Sequence, residues 1–164
     1  SEDKLPTWSD ENAQYRLIAG KFREYESAVP VYSPLYLIEI KAENDFNLSI
    51  GKDLYGESAL YVLEGEIVDG GETYRTKQLL VAKDAKLCEF EMKAGTTVYI
   101  FGGDALPEER FIFWNFVSSS SEKIEKAKQD WINHKFPKVP EDDDYVPIPP
   151  AQINARPSGG EKKD

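Results

Sequence analysis

The chain has 164 residues, of which 40% are hydrophobic and 12% aromatic, and its formal net charge at pH 7 is −10. This length and composition suit one globular domain with a full hydrophobic core and polar tails. The acidic balance argues against direct nucleic-acid binding and against anionic membrane surfaces, because both need clustered lysine and arginine. A basic protein partner is compatible with the charge.

The cysteine count and the hydropathy pattern favour a cytoplasmic protein. Cys88 is the only cysteine, so an internal disulfide is excluded, as is typical of a reducing compartment. The sequence shows neither a basic-then-apolar leader nor an apolar run long enough to span a bilayer. We therefore expect a cytoplasmic location without membrane attachment.

The first two thirds of the chain predict an all-β domain that follows a polar arm. The arm is residues 1–14, and we expect Trp8 to anchor it against the domain. Strands are predicted at 15–24, 35–41, 46–50, 59–68, 78–82, 86–92, 96–101 and 111–117. Gly65 predicts a bend in its strand, and Asp69-Gly70-Gly71 predicts a hairpin turn. Many short strands of this kind are typical of a closed or sandwiched all-β domain.

The strand at 111–117 is predicted to be covered on both faces, because large apolar residues alternate on both of its sides. A helix is predicted after it, at about 120–134. Ser119 and Glu122 stand at capping-box spacing, and Glu122 is expected to pair with Lys126. The apolar stripe of this helix consists of Ile124, Ala127 and Trp131.

The C-terminal part is predicted to be extended and then disordered. Residues 136–150 contain several prolines, which exclude a helix or a central strand, and their apolar side chains predict a surface-bound segment. Residues 151–164 predict a disordered tail. The predicted organisation is therefore an arm at 1–14, one domain at 15–150 and a tail at 151–164.

Several of these stretches together resemble the C-terminal domain of the pirin family. They are FIFWNFVSSS at 111–120, IEKAKQDW at 124–131, FPKVP at 136–140, YVPIP at 145–149, VPVYSP at 29–34 and LYVLEG at 60–65. The resemblance covers about residues 17–149. It implies a mostly β cupin fold, a jelly-roll β-barrel with one C-terminal α-helix and an extended proline-rich tail. Pirins normally have two cupin domains with the metal in the N-terminal one, and this chain resembles only the C-terminal domain.

The resemblance also implies where metal ligands would lie. Cupins bind metal through two histidines and a glutamate of a first motif and one histidine of a second motif. In an ungapped register these positions carry Gly51 or Lys52, Asp53 or Leu54, Ser58 and Cys88. None of them is a histidine, whereas iron, nickel and copper sites of this kind use imidazole and carboxylate ligands. We expect no metal and no cofactor in this chain.

The other candidate catalytic residues favour structural roles. His134, the single histidine, is expected in the last helical turn, where it interacts with the helix dipole. Cys88 alternates with Phe90 and Met92 and is expected to be a buried small hydrophobe rather than a nucleophile. No catalytic residue is predicted.

Two groups of residues are predicted to matter for binding. A pocket inside the barrel would be lined by Tyr61, Cys88, Phe90, Tyr99, Phe113 and Asn115. An interaction surface would consist of Trp114, Phe116, Trp131, Phe136 and Tyr145. In a two-domain pirin the sister cupin would cover part of such an apolar surface, so we expect a homodimer or another protein partner here.

The residues and the pirin resemblance together suggest two possible functions, one non-catalytic and one enzymatic. The first is a metal-free pirin-like cupin that acts as a binding or protein-interaction module, which the missing ligands favour. The second is part of a pirin-type quercetin 2,3-dioxygenase whose metal site lies in an N-terminal cupin outside this chain. Metal analysis of the purified chain would separate the two.

Overall fold

The computed structural model of the chain describes residues 5–82, 89–155 and 157–159. Strands dominate it, and the described residues contain a single α-helix. The predicted mostly β fold with one C-terminal helix is thereby confirmed. Contacts between residues divide the chain into two compact units, Ser1–Ala105 and Leu106–Asp164. Within the described ranges, no helix is long and apolar enough to cross a membrane.

The first unit has eleven strands within its described residues, and they form two antiparallel sheets. They are β1 (Thr7–Ser9), β2 (Ala13–Phe22), β3 (Tyr25–Glu26), β4 (Leu35–Ala42), β5 (Phe46–Ser49), β6 (Glu57–Glu64), β7 (Glu66–Asp69), β8 (Glu72–Arg75), β9 (Leu79–Val81), β10 (Glu89–Met92) and β11 (Thr97–Gly103). The larger sheet has the order β1-β2-β4-β11-β6-β9, with β3 also paired to β2. The smaller sheet has the order β5-β10-β7-β8.

Both sheets contribute to one hydrophobic core. The buried side chains include Leu17, Phe22, Ile38, Ile40, Val62, Val98 and Ile100 from the larger sheet and Leu48, Ile67, Phe90 and Met92 from the smaller one. Alternate residues of each strand point into this core, because successive side chains of a strand lie on opposite faces. Fully burying one such side chain contributes about 1.5–3 kcal/mol.

The structure has strands and a hairpin turn near the positions predicted for the first unit, although some strand bounds differ. The predicted strand at 59–68 is interrupted at Gly65 and forms β6 and β7, as its glycine indicated. The predicted hairpin turn joins β7 to β8, with Asp69 opposite Glu72. The predicted strand at 86–92 is described only from residue 89 onward.

The polar arm contains β1, which pairs with β2. Trp8 stacks on Tyr25 at a centroid distance of 4.2 Å and on Tyr15 at 5.4 Å. The predicted anchoring role of Trp8 is therefore confirmed, and it rests on aromatic stacking in addition to buried area.

The second unit corrects the prediction of one strand at 111–117. Two strands, β12 (Phe111–Phe113) and β13 (Phe116–Ser118), form an antiparallel hairpin in which Phe113 lies opposite Phe116. The chain reverses at Trp114 and Asn115, and Trp114 has a φ of 52°. The prediction was wrong because alternation along the sequence does not register a two-residue turn made of bulky residues. A short strand, β14 (Ser158–Gly159), pairs with β12.

Helix α1 (Ser121–Ile132) confirms the predicted helix, and its cap lies one residue later than expected. The N-cap is Ser120, whose hydroxyl accepts from the backbone N–H of Lys123 at 3.3 Å, rather than Ser119. The salt bridge on the exposed side joins Lys126 to Asp130, so the expected pairing with Glu122 is wrong. Glu122 instead accepts a hydrogen bond from the Ser120 hydroxyl at 2.6 Å, since the capping residue is closer.

Candidate functional site

The residues of the predicted interior pocket are not brought together in one cavity. Phe90 lies in the core of the first unit, whereas Tyr61 and Tyr99 face each other across β6 and β11 on the opposite side of the larger sheet. Their neighbours in sequence are buried, so strand alternation turns both tyrosines away from the core. In the second unit Phe113 is buried and Asn115 is exposed in the hairpin turn. Cys88 lies outside the described residues.

The positions implied for metal ligands are occupied by packing and hydrogen-bonded groups. Gly51 is buried at the start of a short 3₁₀ helix, and Leu54 belongs to the hydrophobic core. Asp53 pairs with the guanidinium of Arg23 at 2.6 Å. The buried hydroxyl of Ser58 hydrogen-bonds to the hydroxyl of Tyr36. A hydroxyl pair and a carboxylate bound to arginine are not the donor set that a redox metal of this fold requires, so these residues do not fit it.

In the described parts of the chain, no group of three or more histidine, cysteine, aspartate or glutamate side chains is arranged to hold a metal ion.

The buried Tyr36–Ser58 pair is enclosed by close packing. The ring of Tyr55 meets the ring of Tyr36 edge-on at a centroid distance of 5.0 Å. A side chain at Gly102 would place its Cβ 2.4 Å from the Tyr36 hydroxyl, so this contact requires glycine. Sequence reasoning missed the pair, although the Gly102-Gly103 dipeptide at the end of β11 was a signal of a close approach.

A polar groove of about 570 Å³ lies on the face of the larger sheet that carries Tyr99, and sequence reasoning missed it. Its lining includes Trp8, Gln14, Arg16, Glu39 and Lys41. A guanidinium nitrogen of Arg16 donates to Glu39 at 2.8 Å, and the hydroxyl of Tyr99 donates to the same carboxylate oxygen at 3.0 Å. Polar residues at alternate positions of β2 and β4 were the available signal.

Burial and hydrogen bonds to carboxylates that line the groove raise the pKa of two tyrosines, Tyr99 beside the groove and Tyr15 in its lining. Burial, together with the hydrogen bond to Glu39, raises the pKa of Tyr99 above its ordinary value. Burial and the hydrogen bond to Asp10 likewise raise the pKa of Tyr15. Both phenols therefore stay protonated as hydrogen-bond donors at neutral pH. The groove can present fixed hydrogen-bond donors and acceptors to a polar group.

The residues of the predicted interaction surface pack against one another within the second unit. Trp131 contacts Trp114 at a centroid distance of 5.3 Å and Tyr145 at 5.5 Å, and Phe116 stacks on Phe136 at 5.8 Å. The structure thus brings all five together as one aromatic cluster. Phe136 and Tyr145 keep part of their surface exposed.

Hydrogen bonds fasten this aromatic cluster to the proline-rich segment. The indole N–H of Trp131 donates to the carbonyl of Val146 at 2.9 Å, and the hydroxyl of Tyr145 donates to the carbonyl of Trp131 at 3.2 Å. His134 follows the helix end with a φ of 53°, and its ring lies 4.2 Å from the ring of Tyr145. The single histidine therefore takes part in packing at the helix terminus.

Lys128 is a buried charge that the helical stripe did not predict. It follows Ile124 by one turn and lies 5.0 Å from the centroid of the Phe113 ring. Its ammonium group also pairs with Glu125 at 3.5 Å. A cation over an aromatic face is stabilised electrostatically, which offsets part of the cost of its burial.

Comparison with known proteins places this geometry in a family context. The family described as pirin C-terminal cupin domain matches residues 36–137. A pirin-like protein of Caulobacter vibrioides is 36% identical over 149 residues, which are 89% of this chain and 50% of that protein. A Pseudomonas aeruginosa protein described as a candidate quercetin 2,3-dioxygenase is 28% identical over 128 residues, 77% of this chain and 41% of that protein. The chain spans about half the length of the curated relatives it matches.

Two solved structures share the fold. Both are crystal structures described as quercetin 2,3-dioxygenase from Acinetobacter baumannii. The first matches with a TM-score of 0.75 and 22% identity over 93% of this chain and 52% of its own. The second matches with a TM-score of 0.66 and 22% identity over 85% of this chain and 50% of its own. At this level of identity the likeness concerns the fold alone.

Proposed function

The chain belongs to the pirin family through its C-terminal cupin domain, and from this membership we propose that it is a binding or protein-interaction module that holds no metal of its own. In this proposal the two sheets of the first unit close into a jelly-roll barrel. The partner is a second copy of the chain or another protein, and the location is cytoplasmic. The groove and the aromatic cluster supply binding surfaces rather than catalysis.

One observation carries the proposal. The described positions that the cupin motifs assign to metal ligands hold a buried hydroxyl pair, a core leucine and an aspartate paired with arginine. Transition metals of this fold need several imidazole and carboxylate donors in one shell. Ser58 would have to give up its hydrogen bond to Tyr36, and Asp53 its ion pair with Arg23, before either could bind a metal.

Metal binding tests the proposal directly. Iron, nickel or copper added to the purified, chelator-treated chain should leave its melting temperature unchanged, because only a ligand that binds the native state raises it. Metal content should stay far below one atom per chain in elemental analysis. A metal-dependent rise in melting temperature that disappears in Cys88→Ser or Asp53→Asn, but persists in the control Asp69→Asn, would overturn the proposal.

The second candidate is part of a pirin-type quercetin 2,3-dioxygenase. It is favoured by the descriptions of the relatives and by their length, since this chain corresponds to about half of each. In that case the reaction would take place on a metal held by the other half. Mixing this chain with the half of the Caulobacter vibrioides relative that it does not match should then yield quercetin consumption that neither part shows alone. Absence of activity in the mixture would count against this candidate.

A further inference from the structure

In the described part of the chain, strand β9 is an edge of the larger sheet. Among the residues that the structure describes, β9 pairs only with β6, where Leu79 lies opposite Tyr61 and Val81 opposite Ala59. The side chains of Leu79 and Val81 are 57% and 73% exposed. An edge strand with exposed apolar side chains is a template for pairing with a further strand.

The hydrogen bonds of β9 show which backbone groups face outward. The N–H of Val62 donates to Gln78 at 3.0 Å, and the N–H of Ala82 donates to Ser58 at 2.9 Å. Bonding in an antiparallel pair alternates along the strand, so Leu80 faces β6 together with Gln78 and Ala82. Leu79 and Val81 therefore direct their N–H and C=O groups away from β6, toward the open edge.

The charge of this edge favours one kind of partner. Uncharged residues continue inward from β9 in two cross-strand rows, Leu79-Tyr61-Tyr99 and Val81-Ala59-Phe101. Exposed Lys77 lies two residues before β9, whereas the whole chain carries a net charge of −10. Among the residues that the structure describes, a basic partner would meet a lysine rather than carboxylates here, while a second copy of the acidic chain would meet the two uncharged rows.

We propose that β9 pairs antiparallel with β9 of a second copy of this chain, about a two-fold axis at Leu80. Leu79 of each copy then lies opposite Val81 of the other, and their outward backbone groups form the ladder. An antiparallel edge is self-complementary about such an axis, as a two-fold dimer requires. The inference rests on the proposed interaction function and names its partner and surface. Because the pairing is short, the dimer is weak and depends on concentration.

Sedimentation of the full chain over a wide concentration range tests the pairing. The wild type should shift from monomer to dimer, and Val81→Lys should raise the dissociation constant by at least about tenfold, since on each side of the axis it places a charge opposite Leu79 of the other copy. The matched controls are Val117→Lys and Val139→Lys, because these valines are 61% and 65% exposed elsewhere on the chain. Both controls should leave the dissociation constant unchanged.

A backbone variant separates strand pairing from side-chain contact. Val81→Pro removes an N–H that points to the open edge and spares the ladder to β6, so dimerisation should be lost while circular dichroism stays native. For the register, Leu79→Cys combined with Val81→Cys in a Cys88→Ser background should give an oxidised dimer, because hydrogen-bonded pairs have Cα atoms about 5.5 Å apart. Leu79→Cys alone in that background should not crosslink efficiently.

Two results would overturn the pairing. One is a wild type that stays monomeric at the highest concentration, and the other is a dimer that survives both Val81→Lys and Val81→Pro. Neither result would affect the metal test, which judges the proposed function separately. A chain that binds metal stoichiometrically and still dimerises through β9 would overturn the proposed function and retain this inference.

Discussion

Asp10 uses its carboxylate to fix the turn between β1 and β2. One oxygen accepts from the backbone N–H groups of Asn12 at 2.8 Å and Ala13 at 2.9 Å, and the other accepts from the Tyr15 hydroxyl at 2.9 Å. Burial by itself would raise the pKa of this carboxyl. The hydrogen bonds favour the charged form more strongly, so the pKa lies below its ordinary value of 3.8.

The lowered pKa of Asp10 predicts a pH-dependent contribution to stability. A carboxyl with a depressed folded pKa stabilises fully above its unfolded pKa, and that contribution is lost as pH falls through the folded pKa. Asp10→Ala should lower the free energy of unfolding by about 1 kcal/mol at pH 7 and by less in acid. Urea unfolding at both pH values measures this. The control Asp144→Ala, in the exposed proline-rich segment, should change little at either pH.

Lys77 occupies a backbone conformation that glycine favours. Its φ is 73°, its N–H donates to the carbonyl of Val62 at 2.9 Å, and the N–H of Val62 donates to Gln78 at 3.0 Å. This is the pattern of a β-bulge whose first residue is left-handed. Gly95, with a φ of 80°, makes the equivalent bond to Ala42 at 2.9 Å. The same backbone device therefore uses a glycine at one place and a lysine at the other.

Lys77→Gly should raise the free energy of unfolding by up to about 1 kcal/mol. The left-handed conformation costs a residue with a side chain about 1–2 kcal/mol, which exceeds the added chain entropy of glycine, about 0.5–1 kcal/mol. Chemical denaturation followed by circular dichroism measures the change. The reciprocal variant Gly95→Lys should destabilise, and a destabilised Lys77→Gly would mean that the lysine side chain stabilises the bulge.

At the scale of elements, α1 and the β12–β13 hairpin cover each other. Ile124 is buried beside the aromatic cluster, and Trp131 joins the helix to the hairpin and to the carbonyl of Val146. Neither element is stable alone, because a helix of this length and a two-stranded hairpin are both marginal in water. Mutual burial of their apolar faces therefore holds the second unit together.

Trp131→Ala should lower the free energy of unfolding of the second unit by roughly 3 kcal/mol, the low end for a buried tryptophan, because the ring is only half buried. Trp131→Phe keeps most of the packing and loses the hydrogen bond to Val146, so it should cost about 1 kcal/mol. Near-UV circular dichroism during denaturation reports both values. A cost below about 0.5 kcal/mol for the alanine variant would show that the helix is not docked through this ring.

At the scale of the whole molecule, the two faces of the larger sheet have different surroundings. One face closes the core with the smaller sheet, and the other carries the groove and the open edge at β9. The groove and the exposed side chains of β9 therefore lie on the side where a substitution disturbs the core least. The core face and the outer face can vary independently in such an arrangement.

Core and outer positions should accordingly differ in their tolerance of alanine. Met92→Ala, at a fully buried position of β10, should cost about 2–5 kcal/mol, because it removes core contacts and leaves a cavity. Leu63→Ala, at an exposed position of β6, should cost less than about 1 kcal/mol. Equilibrium urea unfolding compares the two. Equal costs would contradict the assignment of the faces.

The sequence by itself determined the features that depend on local pattern. Short alternating runs predicted the β domain, serine and glutamate before an apolar stripe predicted α1, and Gly70-Gly71 predicted the β7–β8 turn. The long motif from 111 to 149 was sufficient to recognise the pirin resemblance, and the family match confirmed it. These features are readable because propensity and periodicity act within about ten residues along the chain.

Only the tertiary structure decided which faces and edges meet. Alternation shows that Tyr61 and Tyr99 share one side of their strands, but the position of the smaller sheet decides that this side lies away from the core. The hairpin at Trp114 was not predicted either. The chain reversal there is stabilised by packing of Trp114 against Trp131 and not by residues that favour turns. The groove, the Tyr36–Ser58 pair and the open edge of β9 all arise from pairing between distant strands. Such pairing is set by the summed burial of the whole domain, which no local stretch of sequence contains.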